Sequence, residues 1–353
     1  MGKKSKYTSN FAEMNPLQRY KLSFYSYRQL QRDFIRFKND YALNFTNGFI
    51  CGIIINYLKY HADNKKQEFI SNFQNYLKTS SSRRTKGYKP DSLNENSFRL
   101  TVTKDLNEII HTLKLEQHDN YTPQLLFNYV LESYSKMYFS DREMICCYDI
   151  YKTITEGIRC CKCFRVTAME KGSSQEQTFE FKPYRLELDD NAFSYYLIGF
   201  SRPYGDEGEF KCDCIKLSRI IKCSTIEGYS LTGKEEEEIS ERLGKYGAAY
   251  IKTENNSLIE ILLTEAGYKQ TFLKRIVRQR PIPVEKPECI TIGTETYYKL
   301  KFDCSQDQIR YYFFTFGNSA EILSPPELRE RFISDYKNAL ESYSQGHNPD
   351  STI

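Results

Sequence analysis

The chain has 353 residues, 40% hydrophobic and 27% charged, with 29 Tyr, 23 Phe and no Trp. That is enough apolar material for real cores and too long for one ordinary domain, so two or three domains are expected and a disordered chain is excluded. The formal net charge of +4 is unevenly spread: residues 1–90 hold 17 Lys and Arg against five acids, a surplus of 12, leaving −8 on the rest.

A basic quarter on an acidic body points to a polyanion-binding module, with solubility charge as the plainer alternative. The basic start, MGKKSK, has no apolar segment behind it, so a cytoplasmic protein is expected. The best apolar run, Phe49 to Leu58, is too short to span a bilayer. Residues 20–27, YKLSFYSY, alternate with period two: Leu22 and Phe24 face one way, Lys21, Ser23 and Tyr25 the other. RQLQRDFIRFKNDYA follows with Leu30, Phe34, Phe37 and Tyr41 at helical spacing. Thr46 is placed to cap a second helix, whose stripe is Phe49, Ile50, Ile53, Ile54, Tyr57 and Leu58.

The pattern returns after a polar linker (residues 78–97). FRLTVT, residues 98–103, puts Leu100 and Val102 inward and Arg99, Thr101 and Thr103 outward. A helix with Leu106, Ile109, Ile110 and Leu113 follows. Thr122 then caps a helix with Leu125, Leu126, Tyr129, Val130 and Tyr134. Leu22 to Thr46 is 24 residues and Leu100 to Thr122 is 22. A lone strand followed by two helices satisfies neither its backbone nor its apolar face, whereas two copies pair their strands over four interlocked helices. This pattern resembles the ribbon-helix-helix fold, with both halves in one chain. The resemblance implies nucleic-acid readers on the ribbon: Lys21, Ser23 and Tyr25 with Arg99, Thr101 and Thr103. A helical dimerisation module with incidental strands is the alternative.

From about residue 158 strand-like runs dominate, with turns at Asp189-Asp190-Asn191 and Gly205-Asp206-Glu207-Gly208, as in a small antiparallel barrel. Three ordered landmarks are similar to the WYL domain, an Sm/SH3-like β-barrel: Pro183-Tyr184-Arg185-Leu186, Tyr195-Tyr196-Leu197 and Lys216-Leu217-Ser218-Arg219-Ile220. Tyr195 replaces the Trp, Ser218 an Asp, and Asp213 an Arg. The resemblance implies a ligand or nucleic-acid patch of Tyr184, Arg185, Tyr196, Lys216 and Arg219. Aromatic faces stack bases and cations meet phosphate; the alternative places Tyr196 in the core.

GKEEEEISERLGKYG is expected to be a solvated spacer helix. Beyond it come a strand (LIEILLTE), a basic helix with Lys269, Lys274, Arg275, Arg278 and Arg280, and two strands, ETYYKLKFD and IRYYFFTFG. Phe316-Gly317-Asn318 and the run Glu321 to Arg329 resemble the C-terminal extension of WYL proteins, which implies a dimerisation module. The expectation is therefore an α+β chain. Residues 1–138 form a ribbon-helix-helix-like pseudo-dimer, 139–232 a linker helix and WYL barrel, 233–345 a spacer helix and α+β dimerisation module, and 346–353 a disordered tail.

Eleven cysteines, an odd number, read as cytosolic thiols. Cys160, Cys161, Cys163, Cys212 and Cys214 lie in strand-like runs, where Cys acts as a small hydrophobe instead of a zinc ligand. No nucleophile elbow, phosphate loop, dinucleotide fingerprint or HExxH spacing occurs, so no enzyme, cofactor, metal or catalytic residue is expected. The combined resemblance is to WYL accessory proteins of type VI-D CRISPR systems. It implies a single-stranded RNA-binding homodimer that enhances a CRISPR RNA-guided effector. Duplex operator DNA with a ligand-sensing barrel is the alternative, and an interaction scaffold a third reading.

Overall fold

The computed structural model describes residues 18–22, 24–38, 47–85, 96–100, 103–169, 175–189, 193–228, 230–252, 258–273 and 281–344. The chain divides into two compact units: residues 1–179 with 216–226, and residues 180–215 with 227–353.

In the first unit β1 (Gln18–Leu22) and β2 (Asn96–Leu100) pair antiparallel within the one chain, with Tyr20 opposite Phe98 at the centre. The repeat that aligns Leu22 with Leu100 also aligns Tyr20 with Phe98. The register is therefore the one a local twofold axis imposes. After β1 come α1 (Phe24–Lys38), α2 (Asn47–Asn64) and α3 (Lys66–Thr85); after β2 come α4 (Lys104–Thr112) and α5 (Pro123–Lys136). Helix α1 packs on α5 and α2 on α4, while α2 meets β2 and α5 meets β1. Each half thus buries its apolar face against the other. The expected stripes are the core: Leu30, Phe34, Phe37, Ile50, Ile54, Leu58, Leu106, Ile110, Leu126, Val130 and Tyr134 are all buried.

Both strands are shorter than expected. The first ends at Leu22, and Phe24 to Tyr27 already belong to α1, because Ser26, Gln29, Leu30, Asp33, Phe34 and Phe37 are buried at helical spacing. The second ends at Leu100, and Thr103 caps α4 by accepting the Leu106 amide at 3.3 Å. Thr122 caps α5 as expected, accepting the Leu125 amide at 3.3 Å. Thr46 and Tyr41 lie outside the described residues. Helix α3, unforeseen, carries Phe69, Phe73 and Leu77 as a buried stripe and takes up the start of the supposed linker. Next come α6 (Phe139–Cys146), α7 (Tyr148–Arg159) and β3 (Cys163–Met169). β3 pairs antiparallel with β7 (Ile220–Ile226).

β4 (Glu176–Asp189), β5 (Ser194–Pro203) and β6 (Lys211–Lys216) complete a sheet of order β6-β5-β4-β3-β7. The expected barrel is not closed. Hairpin spacing fixes neighbouring strands, but closure also needs a matched tilt and stagger around the ring. At Gly199 on β5 a Cβ would collide with the Lys182 carbonyl and the Phe181 ring of β4.

In the second unit α8 (Gly233–Tyr246) starts at a capping box of Thr232 and Glu235. It is no solvated spacer: Ile239 is fully buried with Ile198, Phe200, Cys214, Ala248 and Ile251. A second antiparallel sheet, of order β11-β8-β10-β9, contains β8 (Ile259–Thr264), β9 (Glu288–Ile292), β10 (Glu295–Phe302) and β11 (Ala320–Ser324). Around it lie α9 (Glu265–Leu273), α10 (Gln306–Phe313) and α11 (Pro326–Ser344). The expected strand IRYYFFTFG is instead α10 and a 3-10 segment, because Ile309, Tyr312, Phe313 and Phe316 are buried at helical intervals. Of the expected basic helix, α9 carries the exposed Lys269; Lys274, Arg275, Arg278 and Arg280 lie outside the described residues.

Candidate nucleic-acid interface

The ribbon supplies backbone positions for only part of the expected reader set. Lys21 lies on β1 and Arg99 on β2. Ser23 and Thr101 lie outside the described residues. Tyr25 sits instead in the first turn of α1, 60% exposed, with its hydroxyl donating to the Ser135 carbonyl at 3.4 Å. Thr103 is spent on the α4 cap.

The five barrel residues fall in both units. In the second, Tyr184 and Arg185 are neighbours on β4, with the guanidinium carbon 5.3 Å from the Tyr184 ring centroid. Arg185 Nε donates to Glu187 at 2.5 Å, and its side chain is half exposed. Tyr184 and Tyr196 are partly buried against the Ile198–Ile239 core. Leu197 is fully buried. Asp213 is buried; it accepts from Ser201 and pairs with Lys252, so its charge is met.

In the first unit Lys216 lies 3.8 Å from the buried Glu143 carboxylate. Arg219 donates to the Met169 carbonyl through Nε at 2.9 Å and through a terminal nitrogen, so it holds β3 as well as carrying charge.

Two aromatic–cation clusters were not foreseen. In the first unit Phe139 has Arg36, Arg142 and Lys216 at 5.4, 5.9 and 5.7 Å from its ring centroid. All three are within cation–π range. Arg36 is exposed, whereas Arg142 is buried and donates to Asp33 Oδ2 at 2.8 Å and Met137 O at 2.5 Å. Asp33 also accepts from Gln29 at 3.0 Å. Burial pushes the Asp33 carboxyl above the ordinary range, with Arg142 working against it.

In the second unit Phe210 lies beneath Lys182 at 4.4 Å and Arg202 at 4.5 Å. Lys182 pairs with Glu235 at 2.9 Å and Arg202 with Glu180 at 2.7 Å. Against burial, the Thr232 amide and Lys182 hold the Glu235 carboxyl below its ordinary range. Arg142 shares α6 with Phe139 three residues away, but Arg36, Lys216, Lys182 and Arg202 lie on elements separate from the ring they edge, and no local spacing announces them. Chemically, a ring edged by cations offers a stacking face beside phosphate partners.

Among the described residues no group of three His, Cys, Asp or Glu side chains is placed to hold a metal ion. No helix among them is long and apolar enough to cross a membrane.

No family model and no curated protein matches the chain. Among solved structures it is similar to the crystal structure of a CRISPR Cas-related protein, at 20% identity and a TM-score of 0.65, over 93% of this chain and 94% of that one. That likeness shows a shared fold. A second structure, proteasome accessory factor B/C of Arthrobacter aurescens, matches at 14% identity over 79% of this chain and 36% of that one, with a TM-score of 0.27, which does not show a common fold.

Proposed function

We propose that the protein is a non-enzymatic, homodimeric accessory protein of a CRISPR system that binds single-stranded RNA and enhances a type VI-D RNA-guided effector. The observation that carries the reading is the fold shared with a CRISPR Cas-related protein over nearly all of both chains. The basic N-terminal quarter and the cation-edged rings at Tyr184 and Phe139 support the nucleic-acid part. Stacking on an aromatic face contributes about 1–3 kcal/mol per base, and phosphate contacts make binding fall with salt.

A second reading, a ligand-sensing regulator on duplex operator DNA, is favoured by the antiparallel β1–β2 ribbon. Such a ribbon enters the B-form major groove but not the A-form one.

The test is a titration against single-stranded RNA, single-stranded DNA and duplex DNA at two salt concentrations. Arg185→Ala with Arg219→Ala should weaken single-stranded RNA binding at least roughly tenfold, while Lys21→Ala with Arg99→Ala should matter less. Because Arg219 also braces β3, Arg185→Ala alone is the cleaner arm. Tighter binding to duplex DNA, with the opposite ranking of variants, would overturn the RNA reading. No binding to any of the three would leave an interaction scaffold.

A further inference from the structure

Helix α1 turns one face to the core and leaves a second stripe outside. Tyr25, Arg28, Arg32 and Arg36 are all exposed. At about 100° per residue they fall within an arc of about 80° on one side of the helix. The three arginines follow one another at intervals of four residues, about 6 Å along the axis. That rise is close to the step between successive phosphates of an extended single strand. The one acid of α1, Asp33, is buried and bound to Arg142, so it does not offset the stripe.

Arg32 and Arg36 enter no ion pair among the described residues. On α11, by contrast, Arg329 and Arg331 pair with Glu321 and Asp307. Like charges four residues apart repel and weaken a helix, and a polyanion laid along them relieves that repulsion. The stripe also has aromatic ends. Tyr25 opens it, 60% exposed. At the other end Arg36 lies 5.4 Å from the Phe139 ring, and the adjoining Tyr138 is 83% exposed. The same ring meets Lys216 at 5.7 Å, so the row of cations runs on into the Lys216–Arg219 segment of the first unit. No exposed aliphatic side chain belongs to the stripe, which argues against a lipid surface and for a phosphate chain. The bases of a single strand have faces open to Tyr25 and Tyr138, and those of a duplex do not.

We propose that the outer face of α1 is a phosphate track that leads a single strand of RNA from the end of the β1–β2 ribbon to Lys216. Arg28, Arg32 and Arg36 each meet one phosphate through a guanidinium fork. The choice of RNA rests on the function proposed above.

Fluorescence anisotropy of the full chain with labelled single-stranded RNA, and separately with duplex DNA, across a series of salt concentrations tests it. Co-sedimentation with phosphatidylserine vesicles runs beside it. Arg28→Gln with Arg32→Gln and Arg36→Gln removes the three phosphate partners and keeps helix propensity. On a single strand each contact contributes about 0.7 to the slope of log K against log salt, so the slope should fall by about 2. At about 0.1 M salt that is a loss of roughly a hundredfold in affinity. Arg32→Gln alone should lower the slope by about 0.7, which keeps the test open should the triple variant fail to fold. Arg→Lys at all three positions keeps the charge and should keep the slope. Lys104→Gln with Lys114→Gln and Lys162→Gln removes as much charge elsewhere in the unit and should change the slope far less. RNA binding whose slope survives the arginine changes, or falls equally with the lysine changes, overturns the track and leaves the RNA reading standing. Duplex DNA bound in place of RNA, with the same arginine-dependent loss, keeps the phosphate track and sinks the RNA reading. Binding of neither nucleic acid, or of vesicles alone, overturns both.

Discussion

Replacing Arg142 with Met would leave the fully buried Asp33 carboxylate with only the uncharged partners Gln29 and Tyr134. Breaking a buried pair from one side typically costs about 3–5 kcal/mol. Here the cost has a ceiling, because Asp33 can take up a proton. Neutralising a carboxyl of ordinary pKa near 4 at pH 7 costs about 4 kcal/mol, at about 1.4 kcal/mol per pH unit. The expected loss is therefore about 3–4 kcal/mol at pH 7, shrinking to about 1.5 kcal/mol at pH 5. The sign follows from the raised folded-state pKa: the penalty exists above the unfolded value and is relieved as pH falls toward it. Urea unfolding followed by circular dichroism reads this directly. With a slope of about 2 kcal/mol/M the midpoint should drop by about 1.5–2 M at pH 7. Asp33→Leu with Arg142→Met removes both charges and should recover most of the loss. A loss under about 1 kcal/mol at pH 7, or one independent of pH, would refute the reasoning.

The low folded-state pKa of His61, about 4, means the unfolded chain takes up its proton first. Stability should fall as pH drops from about 6.5 to about 4, by on the order of 1–2 kcal/mol after allowance for partial exposure, and His61→Phe should flatten that stretch of the pH profile. Gly199→Ala forces a methyl into the Lys182 carbonyl and the Phe181 ring, so a loss of about 2 kcal/mol or more is expected in thermal melts. On α11, Ile333, Leu340 and Tyr343 are 44, 66 and 89% exposed. If they seat a second copy of the chain, Leu340→Glu with Tyr343→Glu should convert a dimer to monomer in sedimentation velocity; an unchanged dimer removes them from the interface.

The N-terminal repeat was legible because it is written twice. Periodicity located four helices, Thr122 announced its own cap, and the matched strands forecast their antiparallel pairing. What failed there was the length of the strands. Two residues of apparent alternation at Phe24 and Tyr25 also fit a helix, and burial of Ser26 and Gln29 decided for the helix. The same ambiguity misled the reading of Tyr311 to Phe314, where aromatic side chains raise strand propensity but Ile309, Tyr312, Phe313 and Phe316 share one helical face. Helix α3 carried a readable stripe of Phe69, Phe73 and Leu77, hidden by the polar text around it. The candidate site was less legible. Tyr184 and Arg185 are adjacent in sequence and remain together in space, but beyond Arg142 on its own helix Phe139 gains its cations from α1 and the end of β6, which only folding brings near.

Pairing β1 with β2 inside one chain changes what concentration can do to the ribbon. A ribbon shared between two chains dissolves on dilution; this one forms by a unimolecular step and persists at any concentration at which the chain is folded. It also frees the two strands to drift apart. Gln18 and Asn96, Tyr20 and Phe98, Lys21 and Arg99, and Leu22 and Leu100 remain alike in kind, whereas Arg19 corresponds to Ser97, so the first strand carries a charge at a position where the second has none. A surface built this way is handed: it distinguishes one end of whatever lies along it from the other, which a ribbon of two identical strands cannot do.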